Sequence, residues 1–167
     1  MRIPFGTLLC VLGGWAPAGY AQAAPSQWLS WDPATNTVTF ALAAGAPGKS
    51  GPFNFNGYTT GAATLVVPAK STVVMNFVND DYTPHSAEII GEKGPLPNMG
   101  GAAAIPSAYT RNLTQGVPQG GTDKLRFTAP EGGTFRIICG VPGHAVSGMW
   151  IFLKVDPSAK APSWLAN

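Results

Sequence analysis

Three residues whose side chains bind soft metal ions recur at a regular interval late in the chain. Cys139, His144 and Met149 stand five residues apart in the stretch Cys-Gly-Val-Pro-Gly-His-Ala-Val-Ser-Gly-Met. A thiolate, an imidazole and a thioether form a soft donor set that favours copper over zinc, magnesium or calcium. One further imidazole would complete the trigonal His₂Cys arrangement with a weak axial methionine that is typical of copper electron-transfer sites.

The fourth donor has one candidate outside that stretch, His85, because the chain contains only two histidines. His85 follows the turn Asn79-Asp80-Asp81 at the start of a strand pattern. Taken singly, Met149 could fill the core as we expect Met75 to do, and Cys139 could be an inert buried thiol. Together His85, Cys139, His144 and Met149 supply the two imidazoles, the thiolate and the thioether of such a site. They use both histidines and the one cysteine outside the N-terminal 23 residues, so we predict a mononuclear copper site.

The scarcity of histidine also excludes several classes of metal enzyme. Two imidazoles cannot make a three-histidine zinc hydrolase or the trinuclear cluster of a multicopper oxidase. A copper nitrite reductase would need a second copper site with histidines from a partner subunit. We therefore expect no enzymatic activity.

Composition limits the partners. The 167 residues include ten basic and eight acidic side chains, a net charge of +2, and 11% charged residues against about 25% in an ordinary domain. No block of Lys or Arg occurs, which argues against nucleic acid and against a polybasic membrane anchor. The length suits a single domain.

Residues 1–23 have the features of a signal peptide. Arg2 precedes an apolar stretch, and Ala21-Gln22-Ala23 is a small-x-small cleavage site. Gly13, Gly14 and Pro17 interrupt the apolar stretch, which favours cleavage over retention as a membrane anchor. Export removes Cys10 with the leader and leaves Cys139 as a lone thiol in an oxidising compartment, where cysteines are normally paired.

The elements that must position the donors are short strands between Gly, Pro and Asn turns. Alternating patterns occur at Val38, Phe40 and Leu42, at Phe53 and Phe55, and over 64–67, 72–78, 86–90, 124–128, 134–139 and 149–155. About eight such strands predict an all-β antiparallel sandwich or barrel.

Side-chain alternation within two of these strands places the donors. It points Cys139 and Met149 into the core at one end of the sandwich, with His144 on the loop between them. Residues 91–106 form a long loop with one helical turn at 101–104, of the length that usually covers a site. Residues 157–167 are expected to be a C-terminal tail on the surface.

With these residues the sequence resembles the cupredoxins, or type 1 blue copper proteins. The Cys-x₄-His-x₄-Met loop is similar to that of rusticyanins. Phe53-Asn-Phe-Asn-Gly57 and Cys139-Gly-Val-Pro-Gly-His144-Ala145, continued by Gly148-Met149-Trp150, are similar to sulfocyanins. The resemblance covers about 30–156. Archaeal sulfocyanins typically carry an N-terminal anchor and a Ser/Thr-rich linker, and no such linker is visible here.

The resemblance implies a cupredoxin-like Greek-key β-sandwich with equatorial ligands His85, Cys139 and His144 and an axial ligand Met149. It implies a hydrogen bond from Ser86 near the copper-bound sulfur. We assign no catalytic role to 53–57, and we expect an apolar surround that includes Phe135, Trp150 and Met99.

The implied function is transfer of single electrons between respiratory-chain partners outside the cytoplasm. A cytochrome or terminal oxidase would dock briefly on the uncharged surface around His144, and the carrier would be a monomer. The alternative is a periplasmic copper-delivery protein. Such proteins use open motifs rich in Met and His, whereas Met75, Met99 and Met149 are scattered here.

Overall fold

The computed structural model describes residues 28–48 and 50–166, which form nine β-strands and no helix. The strands are β1 Leu29–Asp32, β2 Thr37–Ala44, β3 Ala63–Pro68, β4 Thr72–Asn79, β5 Glu88–Gly91, β6 Thr122–Thr128, β7 Gly133–Ile138, β8 Trp150–Asp156 and β9 Ser163–Ala166. The predicted leader, 1–23, lies outside these residues. Within the described part of the chain, no helix is long and apolar enough to cross a membrane.

The strands form two sheets, with orders β1-β2-β4-β6 and β5-β7-β8-β3-β9. The predicted all-β sandwich is confirmed, but its strands are not all antiparallel. The pairs β2–β4 and β3–β8 are parallel. The chain passes to the other sheet between β2 and β4, and this crossover connection lets the two strands run in the same direction, which a hairpin cannot do.

The core lies between the sheets and follows from period-two alternation. Burial alternates residue by residue along β2 and β4, as it must when one face of a pleated strand is packed. Both sheets contribute to the largest fully buried side chains: Phe40, Leu42, Met75, Phe77 and Leu125 come from one, and Leu65, Ile89, Ile137 and Trp164 from the other. Met75 is thus a core residue, as expected.

The C-terminal segment 157–167 was expected to be a surface tail, and the structure shows otherwise. It contains β9, which pairs antiparallel with β3 at the edge of the sheet. Trp164 is only 2% exposed and stacks on Phe40 at a centroid distance of 5.2 Å. Burial of this large aromatic side chain, together with the pairing to β3, holds the four-residue strand at the sheet edge.

Two other elements differ from the sequence prediction. β1 was not predicted. It has only four residues, and its two half-buried apolar side chains, Leu29 and Trp31, are too few to show a two-residue period. The Phe53–Phe55 pattern does not form a strand. Phe55 makes only isolated bridges with Ala44 and Tyr58.

The long connection runs from the end of β5 to the start of β6, over 92–121, and is longer than the predicted 91–106. It forms no helical turn at 101–104. The backbone of the connection is hydrogen-bonded to β5 and to the residue before it. Ile89 N donates to Ala108 O at 3.0 Å, and Ala104 N donates to Ile89 O at 2.8 Å. Thr110 N donates to Ala87 O at 2.9 Å, just ahead of the strand. The connection therefore covers the exposed edge of that sheet.

Candidate metal centre

The structure brings the predicted donors together at one end of the sandwich. Cys139 Sγ lies 3.4 Å from His144 Nδ1 and 3.9 Å from His85 Nδ1, and the two Nδ1 atoms are 3.2 Å apart. His85 and Cys139 are fully buried, and His144 is 8% exposed. No other group of three such donors occurs in 28–48 and 50–166.

The loop between β7 and β8 carries three of the four residues. Cys139 N donates to Met149 O at 3.1 Å, which extends the β7–β8 ladder by one pair, and Met149 N donates to His144 O at 3.0 Å. Met149 is fully buried in the same core cluster as Cys139. Gly143 and Gly148 have φ values of 83° and 103°, which glycine adopts readily and other residues do not.

Ser86 donates a hydrogen bond to the sulfur atom of Cys139. Its backbone N–H points to Cys139 Sγ at 3.4 Å, and its hydroxyl oxygen lies 3.8 Å from that sulfur. The hydroxyl donates to Leu113 O at 2.7 Å and accepts from Gly140 N at 2.9 Å. Because the hydroxyl proton is directed at Leu113, the backbone N–H is the donor to the sulfur.

His85 is oriented from its other side. Its Nε2 lies 3.3 Å from Asp81 Oδ2, so a proton on Nε2 leaves the lone pair of Nδ1 directed toward Cys139 and His144. The long connection holds the same residue, because His85 and Val117 exchange backbone hydrogen bonds of 3.2 and 2.6 Å.

The electrostatics suit neutral imidazole donors. Burial lowers the pKa of His85, and the Asp81 carboxylate opposes that effect. Burial, followed by the charge of His85, lowers the pKa of His144 to about 4. Burial raises the pKa of the Cys139 thiol. At neutral pH both imidazoles are therefore uncharged, and a bound cation would favour the thiolate.

Phe53, like Asp81, is a residue beside the donors whose role was not predicted from the sequence. Its ring lies over the His144 ring at a centroid distance of 4.6 Å and edge-on to His85 at 6.4 Å. The ring therefore packs against the His144 imidazole and meets the His85 imidazole at its edge. The sequence offers little signal for this contact, since an aromatic residue ahead of an Asn-Gly turn occurs in many hairpins.

The expected apolar surround is only partly in place. Phe135 is half-buried and packs against the main core. Trp150 packs on a smaller cluster with Ile138 and Ala145. Met99 is 51% exposed and does not enclose the site.

The donor set fits a copper ion. One buried thiol, two convergent imidazoles and a buried methionine beside them form a soft site that oxygen-preferring cations would not select. A two-sheet β-sandwich with this centre at one end defines a cupredoxin with a mononuclear type 1 copper site. Within that class the chain belongs to the sulfocyanin family, because residues 25–165 match the sulfocyanin (SoxE) domain.

Comparison with individual proteins supports the same family. A sulfocyanin of Sulfolobus acidocaldarius is 32% identical over 117 residues, which cover 66% of this chain. The match covers 59% of that relative, so the chain spans little more than half of its length. Rusticyanin from Thiobacillus ferrooxidans is 29% identical, with a TM-score of 0.53 over 72% of this chain and 82% of that one.

Two further solved structures extend the comparison. Reduced rusticyanin gives 29% identity and a TM-score of 0.53, over 72% of this chain and 85% of its own. Reduced auracyanin from Roseiflexus castenholzii has a TM-score of 0.51 at 22% identity, over 71% of this chain and 97% of that one, and supports the fold alone.

Proposed function

We propose that this protein carries single electrons between partner proteins outside the cytoplasm, with one copper ion held by His85, Cys139, His144 and Met149. The observation that carries the proposal is the convergence of two imidazole Nδ1 atoms and one thiol sulfur within 4.8 Å of one another in the buried end of the sandwich. Copper, when bound, supplies the reversible one-electron redox couple.

The chain itself supplies rigidity. Cys139 and Met149 adjoin the ends of β7 and β8, and the backbones of His85 and His144 are hydrogen-bonded to Val117 and to Met149 and Val141. Asp81 and Ser86 fix the orientation of His85 and the surroundings of the sulfur. A site held by such supporting contacts keeps nearly one geometry, and this keeps structural rearrangement on electron transfer small. Burial of the donors also excludes water.

The surface next to His144 suits a brief encounter with a redox partner. His144 is the donor nearest to solvent, and Val146 and Met99 beside its loop are 53% and 51% exposed. Gly143 N donates to Asn98 O at 2.8 Å, so the residue before Met99 is bonded to the loop between β7 and β8. An uncharged surface of this kind favours weak, transient docking by a cytochrome or terminal oxidase.

The burial of the donors favours an electron carrier over a copper-delivery protein. Delivery requires a site that a partner can reach and empty, and here the donors are covered by the core and by Phe53. All four proposed donors belong to one chain, so the site can form in a monomer, and the predicted leader favours export.

The visible spectrum of the copper-loaded protein tests the proposal. We expect intense absorption from thiolate-to-copper charge transfer together with a reversible redox couple. Cys139→Ser removes the thiolate and is expected to abolish the band. Met75→Leu, which changes a buried methionine away from the site, is expected to retain it. A colourless wild type after copper loading would contradict the proposal.

A further inference from the structure

Glu88 is a buried acidic residue that the proposed electron transfer does not use. It lies on β5, three residues after His85, and is fully buried. No basic side chain pairs with it among the described residues. Its Oε2 and Oε1 accept from Gly101 N at 2.9 and 3.2 Å. A buried carboxyl group is unfavourable unless it is hydrogen-bonded, so this contact with the long connection is the interaction that accommodates it.

The contact between Glu88 and Gly101 lies where the long connection packs against Gly140, the residue that follows Cys139. Gly100 N donates to Gly140 O at 2.9 Å. A Cβ atom at Gly100 would lie 3.0 Å from Glu88 Oε2 and 3.0 Å from Gly140 Cα, and one at Gly140 would lie 3.1 Å from Gly100 Cα. The two backbones therefore touch with no space for a side chain, and Glu88 lies against the same point.

From Gly140 the contacts continue to the sulfur. Gly140 N donates to Ser86 Oγ at 2.9 Å, and Ser86 N points to Cys139 Sγ at 3.4 Å. Both the carbonyl and the amide of Gly140 are thus fixed, one by the long connection and one by Ser86. A shift of the connection would turn the peptide next to Cys139 and change the hydrogen bonding around its sulfur.

We propose that Glu88 is a positioning residue for the copper site. Its carboxyl group holds Gly100 and Gly101 against Gly140 and thereby fixes the position of the residue that follows Cys139. The copper part of this proposal rests on the proposed function, whereas the contact between Glu88 and Gly101 can be tested without metal.

Three substitutions separate the hydrogen bond from the charge and from simple packing. Glu88→Gln removes the charge and keeps an acceptor oxygen for Gly101 N. Glu88→Met is similar in length and has no acceptor oxygen. Glu92→Gln removes a carboxyl group from an exposed position of the same connection and is the control.

Amide exchange in the copper-free protein is the first measurement. Loss of one hydrogen bond is expected to speed exchange at Gly100 and Gly101 by about tenfold in Glu88→Met. Glu88→Gln and Glu92→Gln are expected to exchange like the wild type. Equal acceleration in the Gln and Met variants would assign the effect to charge and overturn the proposal.

The visible band and the reduction potential of the copper-loaded protein are the second measurement. We expect both to shift in Glu88→Met and to return to wild-type values in Glu88→Gln. Gly100→Ala, which inserts a methyl group between the two backbones, should shift the band in the same way. A Glu88→Met protein that is less stable but keeps the wild-type exchange, band and potential would show a merely structural role and overturn the proposal.

The two proposals fail separately. A wild type with no visible band contradicts copper electron transfer, whereas amide exchange still reports on the Glu88 contact. A wild type with the expected band and an unshifted Glu88→Met contradicts only the role of Glu88.

Discussion

Phe53 shows how a residue without a ligating atom can govern a metal site. Its ring contacts both imidazoles and fills the space beside His144, the donor closest to solvent. Aromatic contacts of this kind contribute about 0.5–1.5 kcal/mol beyond the apolar area that they bury. Phe53 is therefore expected to control the access of water and of competing ligands.

Substitution Phe53→Leu tests that role. The variant keeps an apolar side chain but loses the ring over His144, so we expect copper loss to a strong chelator to be about two- to tenfold faster. Release is followed by decay of the visible band. Phe152→Leu is the matched control, because Phe152 is also half-buried and packs on Trp150 rather than on the donors. Equal rates in the two variants would contradict a shielding role.

At this scale the sequence predicted donors better than supporting residues. Cys139, His144 and Met149 were recognisable because a soft donor set at regular spacing is rare, and His85 because no other histidine remained. Asp81, Phe53 and Glu88 gave no such signal. An aspartate in a turn, a phenylalanine before Asn-Gly and a glutamate in a strand are common, and their roles depend on contacts with distant parts of the chain.

At the scale of elements, β9 closes one edge of the larger sheet through its pairing with β3 and through one buried side chain, Trp164. Trp164 contacts Phe40, Tyr58 and Trp28 at centroid distances of 5.2, 5.5 and 5.8 Å. Its indole N–H is the one buried side-chain polar atom without a hydrogen-bond partner in the described residues. Its contribution is therefore aromatic packing alone.

Two substitutions at Trp164 follow from this. Trp164→Ala is expected to lower the free energy of unfolding by about 3–5 kcal/mol, the usual effect of truncating a large buried aromatic residue. Trp164→Phe keeps a ring and removes an unpaired N–H, so its loss is expected to be much smaller. Urea unfolding measures both. Similar losses in the two variants would show that the indole N–H has a partner after all.

The strands with the longest alternation were all predicted from the sequence, and of the four-residue strands only β5 was predicted. β2 and β4 each have eight residues, and every second residue on their inward face is apolar except Asn79 at the end of β4. β1 and β9 have four residues each, too few for a period to be recognised. The connection 92–121 bonds to β5 at separate positions and not in a continuous ladder, so no pattern marks its path.

At the scale of the whole molecule, the low charge of the chain is an asset for transient docking. A net charge of +2 with 11% charged residues produces little long-range steering, so the proposed encounter would depend on local contact near His144. Val146, 53% exposed on the loop between β7 and β8, lies on the proposed docking surface.

A charge at that position is expected to weaken docking without altering the copper site. For Val146→Asp we expect electron transfer from a reduced c-type cytochrome to slow by about tenfold, because the carboxylate must lose water on contact. Stopped-flow absorbance measures the rate, and the visible spectrum should stay unchanged. Thr128→Asp carries the same charge on β6, where it pairs with the start of β4, away from His85. An unchanged rate in Val146→Asp would place docking elsewhere.

The separation of the donors along the chain has a consequence for unfolding. His85 is 54 residues from Cys139, whereas the other three donors lie together in 139–149. A metal that joins His85 to that segment restricts the unfolded chain as a crosslink does, and a closed loop of this size corresponds to about 4 kcal/mol in the chain-entropy model. In His85→Asn bound copper would join only neighbouring residues, so thermal unfolding with and without copper should show a smaller gain. A bound metal would then act as a removable crosslink between the segment that precedes β5 and the loop between β7 and β8.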